Sequence, residues 1–143
     1  MDTKRIVIGT IAGSIVLYIV GYLIFSVAVA DFYAANTGMA GVFKEPNLQW
    51  ALAVGNLPMA VLITLCLTNR APTVVGGLII GGILGFLVWL HADLSLYAFT
   101  NLFNLTVTLI DPVLSAIPSA LAGAVIAAVL ARMPKTAGLQ AAE

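Results

Sequence analysis

The stretch TVVGGLIIGGILGFLVWLHAD, residues 73–93, contains no lysine, arginine or acidic residue before its last position, Asp93. An α-helix needs about 20 mainly apolar residues to cross the roughly 30 Å hydrocarbon core of a bilayer. Helix is the secondary structure that fits, because an isolated sheet would leave backbone groups unpaired in lipid and the stretch lacks the alternation of a barrel strand. These residues therefore predict a transmembrane helix that reaches at least Asp93.

Three other stretches have the same apolar character, at residues of about 6–30, 50–68 and 112–131. The first is longer than the roughly 7–15 residues of a signal-peptide core, which favours a membrane-spanning helix. Together the four stretches predict an all-α membrane protein: a four-transmembrane-helix bundle with short loops, forming a single domain over residues 1–143.

Polar segments separate these predicted helices. Residues 31–49 read as an outer loop, and residues 133–143 read as a short cytoplasmic tail. Residues 94–110 leave two alternatives open. Either the third helix continues past the interface, or the segment lies along the membrane surface with its aromatic side chains at headgroup level.

The composition agrees with a lipid environment. The 143-residue chain is 62% apolar and only 8% charged, whereas soluble domains are about 45–50% apolar and about 25% charged. The net charge is zero, so nothing indicates nucleic acid as a partner. Cys66 is the single cysteine, and no zinc, haem or nucleophile motif occurs. We therefore expect no cofactor, no metal and no catalytic residue.

The basic residues predict an orientation. Cytoplasmic loops of membrane proteins carry an excess of lysine and arginine. Only Lys44 lies on the predicted outer side, and five basic residues lie on the other: Lys4, Arg5, Arg70, Arg132 and Lys135. Both termini should therefore be cytoplasmic.

Small residues recur at four-residue spacing in three of the predicted helices. Such spacing gives smooth faces that allow close approach of two backbones in a membrane. The residues concerned are Gly9, Gly13, Gly77, Gly81, Gly85, Ser115, Ser119 and Gly123. Two interpretations follow: packing within one four-helix bundle, which we favour, or the seam of a homodimer.

A polar set occupies the predicted outer half and is the candidate ion-binding cluster. Its members are Asp31, Asn56, His91, Asp93, Tyr97, Asn101 and Asp111. Polar residues in membrane helices are costly and often functional, and carboxylate and amide oxygens suit a hard cation or a proton. If the third helix continues, Asp93, Tyr97, Asn101 and Asn104 form one stripe that extends its glycine face, with His91 on a different face.

Simpler interpretations exist for some of these residues. Asp111 followed by Pro112 is typical of a helix start, with aspartate as the N-cap and proline in the first turn. Asp31 fits a position at the membrane–water boundary. Pro58 and Pro118 should kink the second and fourth helices.

Four segments carry a resemblance to small four-span integral membrane proteins of bacteria, a group with no assigned activity. They are the glycine-bearing residues 9–25, the polar residues 31–38, residues 52–57 of the second helix, and the third-helix glycines with residues 93–102. The resemblance implies a bacterial cytoplasmic membrane. It implies no substrate and no catalytic residue.

Three functions are compatible with the sequence. The leading hypothesis is a non-enzymatic helix bundle that acts as a homo-oligomer or as an accessory subunit of a larger membrane complex, with membrane lipids as its other partners. The alternative is a small transporter or ion-binding protein that uses the polar cluster. A lipid-modifying enzyme using His91 and Asp93 is third. Convergence of Asp31, Asp93 and Asp111 on one cavity would favour the binding site.

Overall fold

A computed structural model describes residues 2–38, 48–68 and 72–134 and confirms the all-α prediction. Four helices are long and apolar enough to cross a membrane, so the chain is a multi-pass membrane protein: Thr3–Ala28, Gln49–Thr68, Val74–Phe99 and Leu105–Ala131. In chain order the elements are α1 (Thr3–Gly21), a π-helical segment (Tyr22–Ala28), α2 (Ala30–Ala35), α3 (Gln49–Thr68), α4 (Val74–Phe99) and α5 (Leu105–Ala131).

Short polar residues begin three of these helices. The Asp2 carboxylate accepts hydrogen bonds from the first backbone N–H groups of α1, and Thr73 and Asn104 do the same for α4 and α5. Such side chains satisfy the N–H groups that have no partner inside the helix.

The predicted start of the fourth helix is wrong. The helix begins at Leu105, and Asp111 and Pro112 lie two turns inside it. Pro112 has no N–H to donate to the preceding turn, but membrane helices tolerate proline where neighbours compensate. As a consequence Asp111 is a buried residue in the helix interior and not an N-cap.

For residues 94–110, the third helix does continue beyond Asp93, as in the first alternative, and it ends at Phe99. Residues 100–104 then form a short link, and α5 begins at Leu105. Asp93 does continue the buried glycine face of α4, and His91 is exposed on another face. However, Tyr97 is 45% exposed, and Asn101 and Asn104 lie beyond the helix end, so the predicted polar stripe does not form.

The packing of α4 against α5 depends on backbone contact. A Cβ atom added to Gly77 would overlap the carbonyl oxygen of Gly123, and one added to Gly81 would overlap that of Ser119. A Cβ added to Gly85 would overlap the Ser119 side chain and lie 3.0 Å from the Ser115 carbonyl oxygen. Each four-residue step along α4 thus matches a four-residue step back along α5. The antiparallel pair therefore approaches more closely than larger side chains would permit.

The first helix uses its own small residues against two neighbours. Gly9 faces Thr64 of α3 and Ile126 of α5, and Gly13 faces Ile126 and Ala60. The buried apolar core lies in this half of the bundle and consists of Leu17, Ala60, Ile63, Leu67, Ala122, Ile126, Ala127 and Leu130. The small-residue faces of all three helices are thus occupied within one chain.

Basic residues mark one end of the bundle, which we call the basic end. Lys4 and Arg5 begin α1 there, and Arg132 ends α5. The Arg5 side chain is only 3% exposed, and its guanidinium donates to the carbonyl oxygens of Met133 and Pro134, both at 3.3 Å. Lys44, Arg70 and Lys135, which the orientation prediction also uses, lie outside the described residues.

The opposite end, the acidic end, is packed more loosely. In α3, residues from Ala60 onward include five buried positions, whereas residues 52–55 are all exposed and Trp50 is 69% exposed. Pro58 lies between these two parts of the helix. The acidic half of α3 therefore leaves space beside α1 and α4.

Candidate functional site

Two aspartates meet at the acidic end, and we call Asp93 and Asp111 the acid pair. They are 5% and 8% exposed, and their carboxyl groups interact with each other. The close α4–α5 contact causes this meeting. Asp93 lies two turns after Gly85 on α4, and Asp111 lies one turn before Ser115 on α5.

Asp111 is fully engaged by hydroxyl donors. The Tyr33 hydroxyl donates to one carboxylate oxygen, Oδ1. The Ser115 hydroxyl donates to the other, Oδ2, at 3.2 Å. Each oxygen of Asp111 thus has a partner from a different part of the chain.

Asp93 is left with an unsatisfied oxygen. Its Oδ2 atom is buried and has no hydrogen-bond partner among the described residues. The lysine and arginine side chains that the structure describes, Lys4, Arg5 and Arg132, begin α1 or end α5 at the basic end. A buried carboxyl group is costly unless it is protonated or paired with a cation. The acid pair therefore requires a positive partner or a shared proton.

Tyr33 was not predicted as a site residue, although it is the residue that joins the first helix to the acid pair. Its ring is packed edge-on by Phe25, Phe32 and Phe103, with centroid distances of 5.8, 5.7 and 6.1 Å. Burial raises the pKa of Tyr33, and the hydrogen bond to Asp111 and the negative charge of the acid pair raise it further. Tyr33 therefore remains a protonated donor at neutral pH.

A network of backbone and amide groups fixes Tyr33 above Asp111. The segment after α2 is bound to the link between α4 and α5: Gly38 N–H donates to the Leu102 carbonyl at 2.9 Å, and Asn104 N–H donates to the Asn36 carbonyl at 3.3 Å. The Asn104 amide also donates to the Asn36 side-chain oxygen at 2.7 Å. These asparagines therefore hold the site together and do not face its interior.

Two cavities adjoin the acid pair. The end cavity has a volume of about 740 Å³, and Asp31, Tyr33, Asp93, Phe103 and Asp111 contribute to its lining. The deep cavity, of about 290 Å³, extends from Asp111 towards the middle of the bundle. The cavities share five lining residues: Phe25, Ser26, Leu52, Trp89 and Asp111. Asp111 and Trp89 thus border both spaces.

The deep cavity has a mainly apolar and aromatic wall. Aromatic side chains come from Tyr18, Tyr22, Phe25 and Trp89, and the polar groups include Asn56 and Ser26. The π-helical segment supplies three of the lining residues. Its wider turn ends where Val29 N–H donates to the carbonyl of Ile24, five residues earlier, at 3.0 Å. Such π-helical turns occur often at functional sites.

The predicted cluster divides into two groups. Asp31, Asn56, Asp93 and Asp111 line the cavities, and the three aspartates converge on the end cavity as the binding-site alternative requires. His91, Tyr97 and Asn101 are exposed. His91 lines neither cavity. Tyr33 and Trp89 join the site without having been predicted.

Metal binding by several strong ligands is not indicated in the described part of the chain. Across residues 2–38, 48–68 and 72–134, no three histidine, cysteine, aspartate or glutamate side chains come together as a metal-binding group. The site offers two carboxyl groups, hydroxyl groups and aromatic rings.

Comparisons with protein families, curated proteins and solved structures find no match to this chain. The resemblance to small four-span bacterial membrane proteins therefore stays a prediction.

Proposed function

We propose that this protein binds a cation at the acid pair and acts as a small transporter or ion-binding protein of the membrane. The observation that carries the proposal is the unsatisfied Oδ2 of Asp93, buried beside Asp111 at the wall of a cavity. Ionisable residues at membrane depth are rare, and they commonly mark pathways for ions or protons.

The charges of the site favour a cation over an anion. Two carboxyl groups in contact repel each other when both are ionised, and a cation between them would remove that repulsion. Tyr33 and Ser115 donate to Asp111 and leave Asp93 for the ligand. Electrostatic attraction at such a site is strong because the surroundings are poor in water.

The cavities bear on how a transporter would work. The end cavity is at the acidic end, and the packed core of Leu67, Ile126 and Leu130 fills the other half of the bundle. A transporter would have to open this second half in another conformation, whereas a binding protein would not. Flux measurements separate these two forms of the proposal.

The test uses the purified full-length chain in proteoliposomes and in nanodiscs. Uptake and binding are measured for protons, sodium, potassium and methylammonium, with Asp93→Asn and Asp111→Asn as variants. Loss of one charged interaction should weaken binding about tenfold or more. His91→Gln is the control, because His91 is exposed and lines neither cavity. Equal binding by the wild type and both variants would refute the proposal.

The oligomer or accessory-subunit hypothesis rested on two observations, the small-residue faces and the lack of a soluble domain in the sequence. The first no longer supports it, because Gly77, Gly81 and Gly123 pack within the chain. Contact with lipid would cover the remaining apolar surface as well as an oligomer interface would. Native mass spectrometry in mild detergent tests for an oligomer directly.

We further propose that the basic end is cytoplasmic and that the cavities open towards the outside of a bacterial cytoplasmic membrane. The support is the position of Lys4, Arg5 and Arg132, together with the positive-inside rule. A reporter enzyme fused to the C-terminus and active only in the cytoplasm tests the orientation. Activity of a periplasm-specific reporter at that terminus would contradict it.

A further inference from the structure

We infer that the ligand of the acid pair is an amphipathic organic amine, with its ammonium group on Asp93 and its apolar part in the deep cavity. The inference rests on the proposed function, because it assumes that the acid pair binds a cation. It adds the chemical class of the ligand and assigns a role to the deep cavity.

The first reason is the continuity of the two cavities. The wall that they share includes Asp111, Phe25 and Trp89, so a molecule bound at the acids can extend into the deep cavity. The volumes of about 290 and 740 Å³ lie in the range of small-molecule sites. An inorganic cation alone would leave this space unused.

The second reason is the chemistry of the wall. Hard inorganic cations prefer six or more oxygen ligands, whereas the deep cavity presents Tyr18, Tyr22, Met59 and Trp89. The Asn56 side-chain N–H donates to the Leu52 carbonyl at 2.9 Å, so Asn56 offers a ligand only its amide oxygen. The apolar groups of a ligand gain free energy by leaving water for contact with such a wall, and aromatic faces attract cations.

The third reason concerns the ammonium group. Asp93 Oδ2 is buried and lacks a donor among the described residues. Asp93 contributes to the wall of the end cavity, so a protonated amine bound there brings both a positive charge and N–H donors to this carboxyl group. A quaternary ammonium ion has no N–H group and would satisfy only the charge.

Two glycines allow the deep cavity to be filled without disturbing the acid pair. Gly21 and Gly55 line this cavity, and a Cβ added at either position would meet nothing within 4 Å. Leucine at these sites should therefore occupy the space that the apolar part of the ligand would use. Val54→Leu is the matched control, because Val54 neighbours Gly55 but is exposed and does not line the cavity.

The experiment uses the full-length chain in nanodiscs with Trp50→Phe as the background, which leaves Trp89 as the single tryptophan. Phenylbutylamine is titrated at neutral pH while the fluorescence of Trp89 is recorded. Methylammonium is the probe that keeps the charge and lacks the apolar part, and phenylbutanol is the probe that keeps the apolar part and lacks the charge. Retained folding of each variant is checked by circular dichroism and gel filtration.

We expect phenylbutylamine to bind more tightly than either partial probe and to lose binding in Asp93→Asn. Each buried methylene strengthens binding about fourfold, so exclusion from the deep cavity should cost about tenfold or more in affinity. Gly21→Leu and Gly55→Leu should show this loss for phenylbutylamine and leave methylammonium binding within about twofold. Val54→Leu should bind both amines as the wild type does.

The two proposals fail in different ways. If both leucine variants bind phenylbutylamine like the wild type, while Asp93→Asn does not, the deep cavity is not the ligand site and this inference is wrong. If neither phenylbutylamine, methylammonium nor sodium shows binding that depends on Asp93, the proposed function fails as well.

Discussion

The substitution Gly81→Ala should separate α4 from α5 and weaken the fold. A Cβ at this position would overlap the backbone carbonyl of Ser119 and lie 3.2 Å from the Cα atom of Ala120. Both atoms belong to a helix backbone, which cannot rotate away as a side chain can. The helices would have to move apart by roughly 1 Å to restore ordinary contact.

The expected cost follows from two opposing terms. Overpacking of a close contact typically costs about 1–3 kcal/mol. Alanine favours the helix over glycine by about 1 kcal/mol, so the net loss should be about 0–2 kcal/mol. Gly82→Ala, at the next residue, is the matched control. The nearest atom to a Cβ added there, outside the backbone of its own helix, is the Ala120 Cβ at 3.5 Å, which is an ordinary contact. Gly82→Ala should therefore be neutral or slightly stabilising.

The assay is reversible unfolding of both variants in mixed micelles with increasing denaturing detergent, followed by circular dichroism. Because the same contact positions the acid pair, Gly81→Ala should also weaken cation binding, and Gly82→Ala should not. Equal stability of the two variants would refute the claim that backbone contact at Gly81 holds α4 against α5.

Three further predictions concern residues whose partners the structure defines. Arg5→Gln should destabilise the fold by about 1–3 kcal/mol, because it removes the guanidinium that donates to two carbonyls beyond the end of α5. Lys4→Gln, at an exposed position, is the control in the same unfolding assay. An equal loss of stability in the two variants would contradict the prediction. Tyr33 has a raised pKa, so its contribution to stability should be complete below its unfolded pKa of about 10 and decline at higher pH. Between pH 7 and 11, the free energy of unfolding should therefore fall less for Tyr33→Phe than for the wild type. Identical pH profiles of the two proteins would contradict this prediction. Asn104→Ala removes an N-cap and the hydrogen bond to Asn36, so it should lower the free energy of unfolding by about 1–2 kcal/mol. Asn101→Ala, at an exposed position, should lower it little. A larger loss of stability in Asn101→Ala than in Asn104→Ala would exclude the proposed role of Asn104.

The architecture could be predicted because its signals are local. Each apolar stretch is long enough to cross a bilayer whatever its neighbours do, so the number of spanning helices follows from length and composition. The small residues at Gly77, Gly81 and Gly85 likewise repeat on one face, and the structure places a helix against that face. Asp93 lies on the same face, so its burial follows from the same periodicity.

The site could be predicted only in part, because its formation depends on contacts between distant segments. Asp111 and Pro112 form a pattern that marks helix starts, yet Asn104 supplies the cap and the helix passes through both residues. Nothing in the local sequence of Tyr33 distinguishes it from an aromatic residue at the interface. Its position above Asp111 depends on the π-helical segment, on α2 and on the bonds to Asn104.

The packing of the bundle explains why the site lies where it does. Backbone contact through Gly77, Gly81 and Gly85 makes α4 and α5 a closely packed pair, and the same register brings Asp93 beside Asp111. The acidic half of α3 packs little against this pair, and the first helix widens into a π-helical segment at the same level. Close packing on one side thus fixes the charged groups, and loose packing on the other leaves room for a ligand beside them. A substitution that tightens the loose side, such as Gly55→Leu, should therefore change ligand size preference before it changes the acid pair.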